Sequence, residues 1–496
     1  MTSQMQYMAF LPELIVVGAA FVVLMFEAVA PRRASGSSFI LAAFALLGAF
    51  LALWFTPAYS WGSVLRADAF SSLVKSFLVG GSLLILLYAW PYLRERVSGI
   101  SEFCFLFLTS VFGLMLVTSA TNFITFVVAL ETASLGMYTL AASMRRDRSS
   151  VEAGVKFFLN SAFATAIMLW GLSIIYGLTG SLDFSAVYSS FDHFAASSSM
   201  TPEIKPFHLL GILALIVGIG FKITLFPFHL WAPDVYQGSP TPFTAFLATI
   251  SKAAGFAILI RVVVWPILPL VGDMQILFVA LATLTMLAAS TAALLQSDAK
   301  RLLAYSSISH AGFMLIAIAT MRDVRHLSGP AAAEQAQAVA SLLFYLVAYM
   351  SATIGAFVVL YTIESKRKDS SLKAFNGLWR TDPALTFSMT VFIASLAGLP
   401  PTIGFIGKFL IFYQAYSADM MFLLVAAVVA TVISLFFYFK IIRCMILNTP
   451  DDEVSFRDSP TRAFAVILCG AILLAIFFSE PLRNACMEAG KAVLLR

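Results

Sequence analysis

The chain has 496 residues, of which 60% are hydrophobic and 11% charged, with a mean hydropathy of +0.92. Soluble domains run nearer half apolar and a quarter charged, so a soluble enzyme, a disordered chain and a coiled coil are excluded. Four cysteines (Cys104, Cys444, Cys469 and Cys486) are too few and too scattered for a disulfide scaffold, metal-ligand or redox spacing, and a net charge of +5 without a basic tract argues against nucleic acid.

A membrane-spanning helix needs about 20 mostly apolar residues to cross about 30 Å of hydrocarbon. In chain order, fourteen segments meet that requirement, at about 8–30, 38–56, 70–92, 103–121, 122–142, 154–178, 207–229, 241–264, 273–296, 302–320, 337–363, 384–416, 420–447 and 463–482. The expected fold is therefore all-α, a polytopic membrane protein of about 14 transmembrane helices. The first segment is too long for a cleaved signal peptide and too acidic at Glu13 and Glu27, and no basic stretch precedes it. No connection is long enough for a soluble domain, so the function is expected inside the membrane.

Orientation follows from the basic residues. Loops after odd-numbered spans carry seventeen Lys and Arg, from Arg32 to Arg462, whereas loops after even-numbered spans carry Arg66, Lys205, Arg322 and Arg325. This asymmetry predicts both termini on the periplasmic side of a bacterial inner membrane. The basic C-terminal tail, with Arg483, Lys491 and Arg496, is the exception.

An ionisable group near mid-bilayer costs at least about 3 kcal/mol, so it faces a partner or a wet cavity and marks a transport path. Lys156 and Arg261 lie near span ends and are expected to reach the interface with their charged tips. Glu13 and Glu27 flank the first span and read as interfacial, while Lys75, about one turn inside the third, reads either way. Glu131, Lys222, Lys252 and Lys408 lie well inside spans. Lysines cannot neutralise one another, which argues against a purely structural ion pair for each.

Two spans are interrupted. Pro227, Pro233, Gly238, Pro240 and Pro242 follow Lys222 in and after the seventh, and Gly398-Leu399-Pro400-Pro401 breaks the twelfth ahead of Lys408. Proline removes a backbone donor, and irregular backbone at membrane depth needs protein or water around it. Paired interruptions point to a transport site. Glu131, Lys222 and Lys252 recur as His310, Lys408 and Lys440 at offsets of 179, 186 and 188 residues. The expected organisation is three N-terminal helices (1–102), a five-helix unit (103–264), a second five-helix unit (265–447) and a last loop and helix (448–496). An odd number of helices per unit inverts the second copy.

Glu131, Lys222, Lys252, His310 and Lys408 would then line one path. Moving the Glu131 carboxylate toward or away from Lys222 would load or release a proton. His310 suits a relay near neutral pH; it reads equally as a packing histidine beside Ser306, Ser307 and Ser309. No nucleotide loop, redox ligand set or catalytic triad is present, so the driving energy would come from partners or another ion gradient.

The stretch from Phe228 to Pro242 (FHLWAPDVYQGSPTP), with Lys222 before it and Ser251-Lys252 after it, resembles the antiporter-like membrane subunits of respiratory complex I. Lys300 to His310 (KRLLAYSSISH), Leu130-Glu131 with Ser134-Leu135, and Gly404-Phe405 with Gly407-Lys408 resemble the same family across essentially the whole chain. Among its sister branches, Trp231-Ala232-Pro233-Asp234-Val235-Tyr236 is similar to the N branch. Lys408 departs from the M branch, which has glutamate there, and the long lateral helix of the L branch is absent. Gln237-Gly238-Ser239 departs from the more common Glu-Gly-Ala, in what reads as a connecting loop.

The resemblance implies a proton-translocating, non-redox subunit of NADH:quinone oxidoreductase, a translocase in which electrons pass from NADH to quinone in other subunits. It assigns Glu131 and Lys222 as a coupled pair, Lys252 and His310 as connecting relay, and Lys408 as terminal group on the exit side. No cofactor or metal would bind this chain; FMN, iron–sulfur clusters and quinone would sit in partner subunits. Its partners would be neighbouring antiporter-like and small membrane subunits and the lipid bilayer. The alternatives are a subunit of a multi-chain sodium/proton antiporter, and a scaffold whose ion path is inactive.

Overall fold

The computed structural model describes residues 7–29, 31–97, 99–196, 205–322, 330–450 and 454–494. Arg325 and Arg496, and the side chains of Arg32 and Arg33, lie outside what is described. The architecture is helical apart from one short hairpin, β1 (Tyr59–Trp61) with β2 (Leu65–Ala67). Among the described residues, thirteen helices are long and apolar enough to cross a membrane.

The first half comprises α1 (Leu11–Val29), α2 (Pro31–Ala52), α3 (Ala69–Arg96), α4 (Ile100–Ser119), α5 (Phe123–Ala141), α6 (Arg148–Thr179), a short α7 (Phe184–Ala196), α8 (Lys205–Lys222), α9 (Trp231–Gly238) and α10 (Thr241–Val264). The second comprises α11 (Val271–Leu294), α12 (Ala299–Ala319), α13 (Pro330–Arg367), α14 (Pro383–Ala397), α15 (Ile403–Ser417), α16 (Met421–Leu447), α17 (Pro460–Ala475) and α18 (Ser479–Leu494). Side chains that accept first-turn amide protons start many of them: Asp68 on α3, Asn122 on α5, Asp147 on α6, Asp298 on α12, Asp382 on α14 and Thr402 on α15.

The twelfth span is interrupted at the expected place, into α14 and α15, where Gly398 takes a left-handed φ of 79° and closes α14. The seventh likewise ends at Lys222, and the chain turns before resuming as α9. Beyond the last expected span the chain continues as helix. It folds as α18, whose Cys486, Ala489 and Val493 are buried, and Trp265 donates its indole proton to the Val493 carbonyl at 2.6 Å.

Two charges expected to reach the membrane interface are instead buried within the protein. Arg261 is fully buried and holds both Asp68 oxygens, at 2.9 and 3.0 Å, while its Nε donates to the Thr118 carbonyl at 2.6 Å. That contact ties α10 to the start of α3 and the end of α4. Glu13 and Lys75 form a second buried pair at 2.5 Å between α1 and α3. A carboxylate was available to each cation inside the bundle, and pairing there replaced the reach toward water.

Every residue from 241 to 264 is buried, so α10 is wrapped by protein. Beside it runs α13, 38 residues long and about 57 Å from end to end at 1.5 Å per residue. These two helices form the wall on which the interior polar groups assemble.

Candidate functional site

Glu131 and Lys222 each bond to hydroxyls of α5 or α6 rather than to one another. On α5, the half-buried Glu131 carboxylate accepts a hydrogen bond from the Thr165 hydroxyl of α6 at 2.9 Å. Lys222 is buried at the C-terminal end of α8, where a cation also complements the helix dipole. Its Nζ donates to Ser134 of α5 at 2.7 Å and Ser161 of α6 at 3.1 Å, and Tyr138 donates to Ser161 at 2.5 Å. Ser134 stands one turn beyond Glu131, and Ser161 one turn before Thr165. Tyr138, Phe157 and Phe221 place their rings 5.5, 5.7 and 5.8 Å from the same ammonium.

The turn after Lys222 carries the connection onward. Thr224 adopts a left-handed φ of 61° and accepts from Lys252 Nζ at 2.9 Å. Lys252 also donates to the Ser307 carbonyl at 2.7 Å and hydroxyl at 2.5 Å on α12. Immediately before Lys252, residues Leu247–Ser251 form a π-helical turn, a departure found often at functional positions. Tyr349 of α13 donates to the Ala248 carbonyl within that turn at 2.8 Å.

His310 follows Ser307 by one turn. Its Nδ1 lies 2.6 Å from the Tyr345 hydroxyl and its Nε2 3.1 Å from that of Tyr438. The neighbouring serines are occupied elsewhere, Ser306 with Tyr438, Ser307 with Lys252 and Ser309 with Ser290. The histidine therefore joins α12 to α13 and α16 through two phenols.

Lys408 reaches back across the second break. Its Nζ donates to the Ala397 carbonyl at 2.9 Å and lies 4.8 Å from the Phe313 ring centre. Gly398 makes that crossing possible, because a Cβ there would stand 2.6 Å from Lys408 Cδ. Its positive φ also disfavours any other residue. Lys222, Lys252 and Lys408 are all buried, and among the described residues none has a carboxylate in direct contact.

Not every charged residue joins this series. Lys440 is half-buried and donates to the carbonyls of Leu294 and Gln296 at 2.9 and 3.0 Å, closing the end of α11. Lys156 pairs with Glu152 at 2.7 Å and Asp234 at 3.0 Å. Asp234 also takes Arg301 at 2.7 Å. Burial would push the Asp234 carboxyl up, but hydrogen bonds from Arg301 and Lys156 and their charges hold it below the usual carboxylate range. Gln237 is not in a connecting loop. It lies on α9, where its side-chain Oε1 accepts from Arg301 at 3.1 Å. Among the described residues, no cluster of three or more His, Cys, Asp or Glu is placed to hold a metal.

The bridging groups escaped sequence reading: Ser134, Ser161, Thr165, Thr224, Ser307, Tyr345, Tyr349 and Tyr438. Hydroxyls one helical turn from a buried charge were the available signal, as with Ser134 after Glu131 and Ser307 before His310.

Comparison with known proteins agrees with this architecture. Residues 120–434 match the family described as NADH:quinone oxidoreductase/Mrp antiporter, TM. NADH-quinone oxidoreductase subunit N 1 of Chloroherpeton thalassium is 37% identical over 446 residues, covering 88% of this chain and 89% of that one. A chain of respiratory complex I from Thermus thermophilus with bound aureothin superposes with a TM-score of 0.78 at 32% identity, covering 95% and 98%. A chain of the Mrp complex from Dietzia shares the fold, with a TM-score of 0.81 over 98% of each chain at 19% identity. With the interrupted helices, the buried lysines and the matched segment all coinciding, the chain belongs to the NADH:quinone oxidoreductase/Mrp antiporter family of membrane subunits.

Proposed function

We propose that this chain is a proton-translocating membrane subunit of a bacterial NADH:quinone oxidoreductase, embedded in the inner membrane beside other membrane subunits. The observation that carries the reading is the placement of Lys252, whose Nζ donates to Thr224 at 2.9 Å, two residues after Lys222, and to Ser307 at 2.5 and 2.7 Å, one turn from His310. Ammonium groups held only by neutral acceptors can give up a proton without stranding a counter-charge, as a relay requires.

In this reading Glu131 governs Lys222 electrostatically through the intervening serines. Lys252 and His310 pass the proton between the two halves, and Lys408 is the terminal carrier. The halves are residues 103–264 and an inverted repeat, 265–447, preceded by three helices in 1–102 and followed by the last helices in 448–496. Flavin, iron–sulfur clusters and quinone belong to partner subunits, and both termini face the periplasm. A tag after Lys368 reached only from the cytoplasm supports that sidedness.

The identity to subunit N relatives and to the Thermus complex I chain favours this reading over a sodium/proton antiporter. The Mrp likeness, at 19% identity, speaks for architecture alone. Lys252→Met tests it in the assembled complex: NADH-driven proton movement should fall about 100-fold, the scale of one lost acid–base group, without a sodium requirement in the parent complex. Unchanged proton movement in Lys252→Met would overturn the relay.

A further inference from the structure

The two turns of α9 stand between two irregular stretches, the one that follows Lys222 and the one that begins at the extended Ser239. A helix of eight residues has little stability of its own, so its side chains must fix its place. Asp234 does this at mid-length. Its Oδ2 accepts from Lys156 of α6 at 3.0 Å and its Oδ1 from Arg301 of α12 at 2.7 Å. Gln237 accepts from the same Arg301 nitrogen at 3.1 Å, and Glu152 holds Lys156 at 2.7 Å. Glu152, Lys156, Asp234 and Gln237 line an open cavity of about 440 Å³ at the end of the bundle where α6 and α12 begin, so water-soluble reagents reach the group. The side chains of Lys156 and Asp234 are 43% and 39% exposed. Pairs this open contribute little to stability. What this carboxylate supplies is the position of α9.

One turn before Asp234 stands Trp231. Its ring stacks on Phe157 of α6, with centres 4.5 Å apart and planes 10° apart, and lies 5.1 Å from that of Phe221. Its indole proton goes to the Phe221 carbonyl at 3.2 Å. Phe157 and Phe221 are two of the three rings around the Lys222 ammonium, at 5.7 and 5.8 Å. On α6, Phe157 directly follows Lys156, and Ser161, which accepts from Lys222, is one turn farther. The ion pairs of Asp234 and the ring wall of Lys222 are thus built on the same two helices. At the far end of α9, Gly238 is pressed onto α6, since a Cβ there would stand 2.4 Å from the Ser149 carbonyl oxygen.

We infer that Asp234 is a positioning residue for Lys222. By holding α9 between α6 and α12 it keeps Trp231 in its stack, and with it Phe157 and Phe221 in the arrangement that encloses the ammonium. Released, α9 swings about its tight contact at Gly238, Trp231 leaves the stack and the wall of Lys222 loses its support. Arg301 belongs to the helix on which Lys252 is anchored, so the same carboxylate ties the enclosure of Lys222 to the placement of Lys252. The inference rests on Lys222 carrying protons, and it adds what keeps the site of that carrier in shape.

The test uses the assembled complex in sealed membrane vesicles. Asp234→Asn should assemble at parental levels, while NADH-driven proton movement per assembled complex falls several-fold, toward the about 100-fold that a displacement of about 1 Å can cost. If Asp234→Asn fails to assemble, Arg301→Gln, which leaves Asp234 its bond to Lys156, takes its place. The double variant Asp234→Cys, Arg301→Cys should be equally slow. Joining its two thiols with a short bis-methanethiosulfonate should restore most of the proton movement, and reducing the link should remove it again, with the parent chain treated alike as control for the native cysteines. The link is added after assembly and carries no carboxylate, so recovery cannot come from repaired folding or from a proton held at position 234. Parental proton movement in the assembled single variant, or no recovery on linking, would overturn the positioning role. Lys222→Met separates this idea from the reading beneath it. A freely pumping Lys222→Met sinks the carrier, whereas a blocked Lys222→Met beside a parental Asp234→Asn sinks the positioning role alone.

Discussion

Lys252 donates to both the hydroxyl and the backbone carbonyl of Ser307, at 2.5 and 2.7 Å, so this lysine of the first half is anchored on the helix that bears His310. Lys252 thereby ties α10 to α12. Ser307→Ala keeps the carbonyl and removes the hydroxyl, a change worth about 1 kcal/mol to the local hydrogen bonding. The complex should assemble at parental levels while NADH-driven proton uptake slows; equal rates in membranes normalised for assembled complex would show that the hydroxyl is not on the path.

Glu131 touches Thr165 rather than Lys222, so its influence on the lysine is through charge. Glu131→Gln retains an oxygen for Thr165 and removes the charge. Assembly should persist while proton-coupled quinone reduction falls about 100-fold, the scale expected when one positioned acid–base group is lost. Wild-type electron transfer and pumping in an assembled Glu131→Gln complex would reduce this carboxylate to a packing role.

Lys408 distinguishes a carrier from a scaffold. Lys408→Met preserves apolar bulk against Phe313 and cannot titrate, so it should fold and block. Lys408→Arg keeps the charge, but a guanidinium with a pKa above about 12 does not release its proton, so it should block as well. A structural cation would show the reverse, with Arg tolerated and Met damaging. Quinone reductase activity and proton uptake, read beside the amount of assembled complex, decide between them.

Asp68 and Arg261 should behave as a unit of stability. Asp68→Ala leaves a fully buried guanidinium uncompensated, with an expected loss of about 3–5 kcal/mol. The double variant Asp68→Ala, Arg261→Met should recover much of that loss, because no charge remains to be paired. Thermal unfolding of the purified complex measures both, and a double variant no better than Asp68→Ala would mean that the pair is not what holds α3 to α10.

What the sequence disclosed was whatever a local pattern can encode. Apolar runs located the spans, prolines and glycines located the two breaks, and lysines inside apolar runs located Lys222, Lys252 and Lys408. Partners distant in the chain left no such trace. Asp68 reads as a loop residue before a helix, and nothing near it announces the guanidinium that it holds. Arg261, judged by position alone, reads as an interfacial residue. Tyr345, Tyr349 and Tyr438 are indistinguishable in sequence from packing aromatics, since only the third dimension brings their hydroxyls to His310 and to the carbonyl of Ala248. Gln237 reads as a loop residue because the prolines and glycine around it obscure the two turns of α9.

The bond between Asp68 and Arg261 spans 193 residues, and this separation sets an order of events in biosynthesis. At about 5–20 residues per second, roughly 10–40 s pass between emergence of the carboxylate and arrival of its partner. During that interval Asp68 has its own helix start to bind, through Ser71, and can wait. Arg261 has no comparable local refuge: it enters the bilayer in the middle of an apolar run and needs α3 already in place. Correct insertion of the first three helices is therefore a precondition for burying α10, and with it Lys252, so that a nascent chain misplaced early would expose a cationic helix to quality control.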